Sequence, residues 1–357
     1  MEYRKILENL SPYKPGKNLE EIKKEYGLDE IVKLASNENP YGTSPKVLKS
    51  LSEIDILETY PDNYCTKLRK KLSKKYDIPE DYFIFGNGSV EIIQMISRIL
   101  LDSSSEAITC VPSFSSYWSE AILQDSQIIE VPLKNYKFDL NGILEKINDR
   151  TKLIYITNPN NPTGTIVTDI ELNNFLAKVP NNILVVLDEA YFEFVKNSEY
   201  PNSIRLLKKF SNICILRTFS KAYGLAGLRI GYGITSPETI LELEKARVPF
   251  NASFISQIAA QTAIDDTDFV DNCIKRNKEV LEYLYNELDV LGLFYIKSEA
   301  NFIMIDVKMP SEIAFEKLLK HGFIVRPSFP KMDTFIRVSI GTMDQIKKFI
   351  NALKNIY

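Results

Sequence analysis

Lys221 is the residue of this chain best placed for covalent chemistry. It stands in residues 218–231, TFSKAYGLAGLRIG, behind an apolar, β-branched run at 213–216 that reads as a buried strand. Gly224, Gly227 and Gly231 follow and let backbone pass close to a neighbour. Arg229 lies in the same stretch. A lysine at the end of a buried strand, flanked by Thr218, Ser220 and an arginine, suits an amine that forms a Schiff base beside a phosphate. The plain alternative is a solvated lysine in a glycine-rich turn.

Other reactive side chains recur at the same kind of position. Short apolar runs at 107–111, 128–131, 153–156, 183–187 and 213–216 alternate with helical or turn-rich segments. That pattern predicts an α/β fold, a mostly parallel sheet with helices on both faces and its ligand beyond the carboxyl ends of the strands. Pro112-Ser113-Phe114 follows the first run and the loop NPNNPTG, 158–164, the third. Asp188-Glu189-Ala190-Tyr191 follows the fourth, and Lys221 the fifth. An aromatic, an Asn-Pro loop, an acid and a lysine at four strand ends point to one shared site. Residues 83–91, FIFGNGSVE, read as a strand, a Gly-x-Gly turn and a helix N-terminus, where free N–H groups and the helix dipole favour an anion. The turn lacks the third glycine of the dinucleotide fingerprint, and no acidic strand end follows about 20 residues on, which argues against a nicotinamide-dependent dehydrogenase.

Composition narrows the class. The 357 residues are 45% apolar and 25% charged, enough for a core of ordinary size in two domains, or one large α/β domain with an appendage. A net charge of −3 with mixed signs carries no footprint for nucleic acid. No apolar stretch reaches the length of a membrane span, and the N-terminus shows no secretory h-region. Cys65, Cys110, Cys214 and Cys273 are scattered, without metal-ligand or redox spacing. A cytoplasmic home is the expectation. There is one histidine, His321, beside a glycine that reads as a helix C-cap. A Ser-His-Asp triad or a histidine metal site would have to use it, so no metal is expected. Acid–base work is assigned to lysine, tyrosine or a cofactor.

Residues 1–30 read as an N-terminal arm, broken by Pro12 and Pro15. Residues 51–246 form the expected large domain, and 31–50 with 247–357 a smaller α+β domain. A long helix at 237–247 reads as the link between them. The turn LASNENPYG, 34–42, is dense in polar residues and stands directly after a short strand.

Taken in order, LASNENPYG, FGNGSVE, NPNNPTG, LDEAYFEF, TFSKAYGLAGLRIGYG and IRVSIGT make the chain resemble the fold-type I pyridoxal-phosphate (PLP) aminotransferases along nearly its whole length. Within that family it is most similar to histidinol-phosphate aminotransferase. The resemblance implies a PLP cofactor, with Lys221 as its covalent anchor and proton shuttle and Asp188 as partner of the pyridinium nitrogen. It implies Asn161 and Tyr191 on the ring's phenolate oxygen and Phe114 stacked on its face. The phosphate would be held by Ser89, Val90, Thr218, Ser220 and Arg229. Tyr60 would reach the phosphate of a neighbouring subunit, which implies a homodimer. Arg337 would bind the substrate carboxylate and Arg326 a distal anionic group, with Tyr13 and Asn37. Asn251 and Asn301 fit the family's contexts without an assigned role.

The implied reaction is transamination between an amino acid, glutamate foremost, and a phosphorylated keto compound, imidazole acetol phosphate foremost. A paralogue acting on another small phosphorylated ketone or an aromatic 2-oxo acid, and a decarboxylase of a phosphorylated amino acid, stay open. Two departures bear on the substrate: Val90 stands where many relatives carry an acid, and the Arg326 loop continues Pro-Ser-Phe-Pro.

Overall fold

The computed structural model describes residues 1–12 and 19–357. A short helix α1 (Leu19–Tyr26) is followed by strand β1 (Val32–Lys33) and helix α2 (Pro45–Ser52). Ser44 caps α2 by accepting the Lys46 N–H, and Pro45 occupies the first turn, where its missing N–H costs nothing. Helix α3 (Thr66–Tyr76) leads into the main sheet-forming run. This comprises β2 (Phe83–Gly86), α4 (Ser89–Leu100), β3 (Glu106–Val111), α5 (Ser116–Leu123), β4 (Gln127–Pro132), α6 (Leu140–Lys146), β5 (Thr151–Thr157), α7 (Asp169–Leu176), β6 (Leu184–Asp188), α8 (Ser203–Lys209), β7 (Ile213–Thr218) and β8 (Gly231–Ile234). Helices α9 (Pro237–Ala246), α10 (Phe254–Asp265) and α11 (Thr267–Val290) come next. The chain ends in β9 (Tyr295–Ile296), β10 (Phe302–Asp306), α12 (Ser311–Lys320), β11 (Phe323–Ile324), β12 (Phe335–Ser339) and α13 (Met343–Lys354).

The large sheet has the order β2-β8-β7-β6-β5-β3-β4. β4, β3, β5, β6 and β7 pair in parallel, and β8 runs antiparallel to both β2 and β7. Successive strand residues point to opposite faces, so a sheet covered on both sides needs unbroken apolar strands. In β5, Ile154 and Ile156 join one core cluster while Leu153 and Tyr155 join the other; in β7, Ile213 and Ile215 oppose Cys214 and Leu216 in the same way. The strand ends expected to carry chemistry therefore lie along one edge of a rigid, buried platform.

β8 was not legible as a strand, because Gly231-Tyr232-Gly233 has low strand propensity. Its glycines answer to packing. A Cβ on Gly231 would sit 2.5 Å from the Ser89 nitrogen and 2.8 Å from the Gly88 carbonyl carbon. Only a bare backbone lets β8 pass under the N-terminus of α4.

A second core gathers β10, β12, α12 and α13 with the C-terminal half of α11. Its antiparallel sheet has the order β12-β10-β9, and β1 pairs in parallel with β11 beside it. The link expected at 237–247 is corrected by the packing. Ile240 and Leu243 of α9 are buried in a core of the large sheet. It is α11 that joins the two bodies: Val270 and Ile274 lie in the large core, Val280, Leu281, Leu284 and Leu288 in the small one. Val47 of α2 and Ala259, Ala260 and Ala263 of α10 also belong to the large core, beyond the 31–50 and 247 boundaries drawn from sequence.

Among the described residues, no helix is long and apolar enough to cross a membrane, and no group of three or more His, Cys, Asp or Glu could hold a metal ion. The four cysteines are buried and free.

Candidate active site

Asp188 ends β6 and is 3% exposed. Its Oδ2 accepts the Tyr117 hydroxyl at 2.7 Å and its Oδ1 the Ala190 N–H at 3.2 Å. Burial pushes this carboxyl up to about 6, against the pull of those two hydrogen bonds and of the Lys221 charge. Lys221 stands three residues beyond the end of β7. Its Nζ donates to the Ser36 carbonyl at 3.1 Å and lies 5.6 Å from the Tyr191 ring centre. Burial lowers the amine to about 8, helped by the positive charges of Arg337 and Arg229 and opposed by Glu38 and Asp188. The lowering raises the share of free amine available for nucleophilic attack near neutral pH.

An anion cradle closes one end. β2 turns through Gly86-Asn87-Gly88 into α4, and Gly88 takes a φ of 79° that favours glycine. The first N–H groups of α4 have no partner within the helix. Facing them, Arg229 adopts a left-handed φ of 54°, and its Nη1 donates to Ser220 Oγ at 3.3 Å and to the Ala226 carbonyl at 3.1 Å. Thr218 Oγ1 accepts the Ser220 N–H at 3.1 Å and bonds Ser220 Oγ at 3.0 Å. Hydroxyls, helix N–H groups and a guanidinium converge there. Asn251 braces the turn: its Nδ2 donates to the Phe85 carbonyl at 3.0 Å and to Glu91 Oε2 at 2.7 Å, and Glu91 Oε2 accepts the Asn87 N–H.

The opposite wall ties the two bodies together. Tyr191 OH accepts from Asn37 Nδ2 at 3.1 Å and from Asn161 Nδ2 at 3.5 Å. Asn161 Oδ1 accepts from Arg337 Nη1, and Arg337 Nη2 donates to the Ala35 carbonyl at 2.6 Å. Arg337 Nε is buried and has no hydrogen-bond partner among the described residues. Burial lowers this guanidinium to about 10. Asn301, unassigned from sequence, donates from Nδ2 to the Asn37 carbonyl at 3.0 Å and so holds the 34–42 turn against the small sheet.

A cavity of about 280 Å³ joins these parts. Its walls include ten residues singled out in the sequence: Ser89, Val90, Phe114, Asn161, Asp188, Tyr191, Thr218, Ser220, Lys221 and Arg229. Asn37 and Arg337 lie outside the walls but touch Tyr191 and Asn161. Arg326 is exposed, and its backbone exchanges hydrogen bonds of 3.0 and 2.8 Å with Arg337. Tyr60 is 81% exposed and stacks on Phe250 at 4.7 Å, and it is not among the walls of its own chain's cavity. Tyr13 lies outside the described residues. Sequence reasoning missed Ser36, Glu38 and Thr157 in the walls, and Tyr117 behind them. Ser36 and Glu38 were visible as part of a polar turn; Thr157 and Tyr117 carried no local signal.

A family model, Aminotransferase class I and II, matches residues 29–353. The chain is 45% identical over 358 residues to the histidinol-phosphate aminotransferase of Geobacillus sp. (strain WCH70), covering 99% of this chain and 97% of that one. It is 46% identical over 356 residues to the histidinol-phosphate aminotransferase of Caldicellulosiruptor saccharolyticus, covering 99% of each. Among solved structures, histidinol-phosphate aminotransferase from Sinorhizobium meliloti in complex with pyridoxal-5'-phosphate matches with a TM-score of 0.91 at 25% identity, over 99% of this chain and 97% of that chain. A strand-end lysine, a buried strand-end acid and an anion cradle in one cavity agree with this kinship, and the chain belongs to the class I and II aminotransferases.

Proposed function

We propose that the chain is a PLP-dependent histidinol-phosphate aminotransferase, exchanging an amino group between glutamate and imidazole acetol phosphate. The observation that carries the reading is the joining of Lys221, Asp188 and the Arg229 cradle in one cavity. The residues fit the cofactor: glycine at 88 and 231 leaves room where a Cβ would strike Arg229 or the Ser89 nitrogen. When bound, PLP supplies an aldehyde that captures amines and a protonated ring that accepts an electron pair from the substrate's α-carbon.

Lys221 Nζ would anchor the cofactor at its aldehyde and would move the proton at the substrate α-carbon. Asp188 would partner the ring nitrogen and favour its protonated form. Asn161 and Tyr191 would donate to the ring oxygen, and Phe114 would pack on the ring. Ser89, the Val90 N–H, Thr218, Ser220 and Arg229 would hold the phosphate, where Val90 needs no side-chain acceptor. The unpartnered Nε of Arg337 suits the α-carboxylate of glutamate. Asn37 donates to Tyr191 and accepts from Ser339, so it orients Tyr191 on the side of the site assigned to the substrate. Arg326, with Tyr13, receives the substrate phosphate or the glutamate side-chain carboxylate.

The test compares kcat/KM for histidinol phosphate and histidinol with 2-oxoglutarate as acceptor. The phosphorylated substrate should be favoured, and Arg326→Ala should erase about ten- to over a hundred-fold of that preference, the size of a lost charge-assisted pair. Equal values for the two substrates would move the reading to an aromatic or general 2-oxo-acid aminotransferase.

The working unit in this reading is a homodimer in the cytoplasm. Ile56, Leu57, Tyr60 and Tyr64 on one segment and Val248 and Phe250 on another are exposed, and the two segments meet at the Tyr60–Phe250 stack, which supports burial against a second copy. Four free buried thiols suit a reducing compartment. Mixing Tyr60→Ala subunits with Lys221→Ala subunits should rebuild one intact site per heterodimer. Absence of rescue, or a monomer by light scattering, would remove Tyr60 from the partner's site.

A further inference from the structure

Tyr117 lies in the first turn of α5, is fully buried and takes no part in the roles assigned above. Its hydroxyl donates to Asp188 Oδ2 at 2.7 Å and lies 2.8 Å from Thr157 Oγ1. Its ring stacks on Tyr155 at 4.2 Å, nearly parallel at 7°, and Tyr155 is itself pinned by a 3.0 Å bond to Ser97. The same ring meets Phe114 edge-on, 5.6 Å between centres at 83°. One rigid side chain thus touches both the acid and the aromatic assigned to the cofactor ring.

We propose that Tyr117 is a positioning residue for the cofactor: its hydroxyl orients the Asp188 carboxylate and holds it ionised, and its ring sets the position of Phe114. The inference rests on the PLP reading above. The chemistry is that of a hydroxyl donating to a buried carboxylate, which favours the charged form over the neutral acid. The other groups acting on Asp188 come from every side. The Ala190 N–H and Lys221 favour its charge, and Glu189 opposes it. Tyr155 and Tyr191 feel its charge from β5 and from the turn after β6. With the carboxyl already raised to about 6 by burial, loss of the Tyr117 hydroxyl should raise it further.

The experiment uses the full chain freed of cofactor and follows PLP binding by intrinsic fluorescence from pH 5 to 8. Wild type should bind tightly near pH 8 and lose affinity as Asp188 is protonated near pH 6. Tyr117→Phe keeps both ring contacts and removes one oxygen. Its affinity at pH 8 should stay within about threefold of wild type, and its acid midpoint should move up by about one pH unit, the equivalent of one hydrogen bond. Comparison at each pH cancels the cofactor's own ionisation. Tyr117→Ala, which also removes the support of Phe114, should lose affinity throughout the range. Should Tyr117→Phe fail to fold by circular dichroism, Thr157→Val should move the midpoint in the same direction by a smaller amount. An unmoved midpoint, or a uniform loss of affinity in Tyr117→Phe, overturns the proposal. Failure of wild type to bind PLP would instead overturn the cofactor reading on which it rests.

Discussion

Lys221→Ala is expected to abolish turnover, by at least about 10⁴-fold, while leaving the fold intact. The amine is assigned two tasks, covalent attachment of the cofactor and movement of the substrate α-proton, and proton transfer alone is commonly worth up to about 10⁴. Among the described residues, no other lysine lines the cavity. The fold should not suffer, because among the described residues Nζ makes a single hydrogen bond, to the Ser36 carbonyl, and the strand before it is held by its own pairing. Steady-state assay and borohydride reduction provide the check. A variant with near-normal activity and a reducible PLP adduct at another lysine would refute the assignment.

Asp188→Asn should slow the chemical step by about 10³-fold, the scale of losing one preorganised charge partner in a water-poor site. The substitution is isosteric, and the Asn oxygen can still accept from Tyr117 at the Oδ2 position. What disappears is the negative charge. An acid limb of the pH–rate profile that belongs to this carboxyl should be absent from the variant. Stability should move the other way. The carboxyl is raised above its unfolded value of 3.8, so the fold is favoured by protonation below that value and loses this contribution as pH rises through about 6. Without cofactor, the Asn variant should therefore melt no lower than wild type at pH 8. Wild-type turnover by the variant would show that the ring nitrogen lies elsewhere.

Local signals placed Lys221, Asp188, Phe114 and the Asn158–Gly164 loop correctly at strand ends. A strand buried on both faces must be apolar throughout, and it must stop where polar residues begin. The Gly-x-Gly turn before α4 was legible for a similar reason: a helix N-terminus after a strand leaves unpaired N–H groups whatever surrounds it. These features depend on residues within one or two turns of each other, so periodicity and glycine placement determined them.

Everything that required distant segments to meet was decided by the tertiary structure. Asn37 reaches Tyr191, Lys221 reaches the Ser36 carbonyl, and Asn301 holds the Asn37 carbonyl, across separations of 154, 185 and 264 residues. No local pattern encodes such pairs, because hydrophobic periodicity says which face a residue takes and not which face it meets. The same holds for α11, whose apolar stripe is continuous in sequence although its two halves enter different cores. Tyr117 is the sharpest instance. In sequence it is an apolar position on a short helix; only the pairing of β5 with β6 brings Thr157 and Asp188 side by side beneath its hydroxyl.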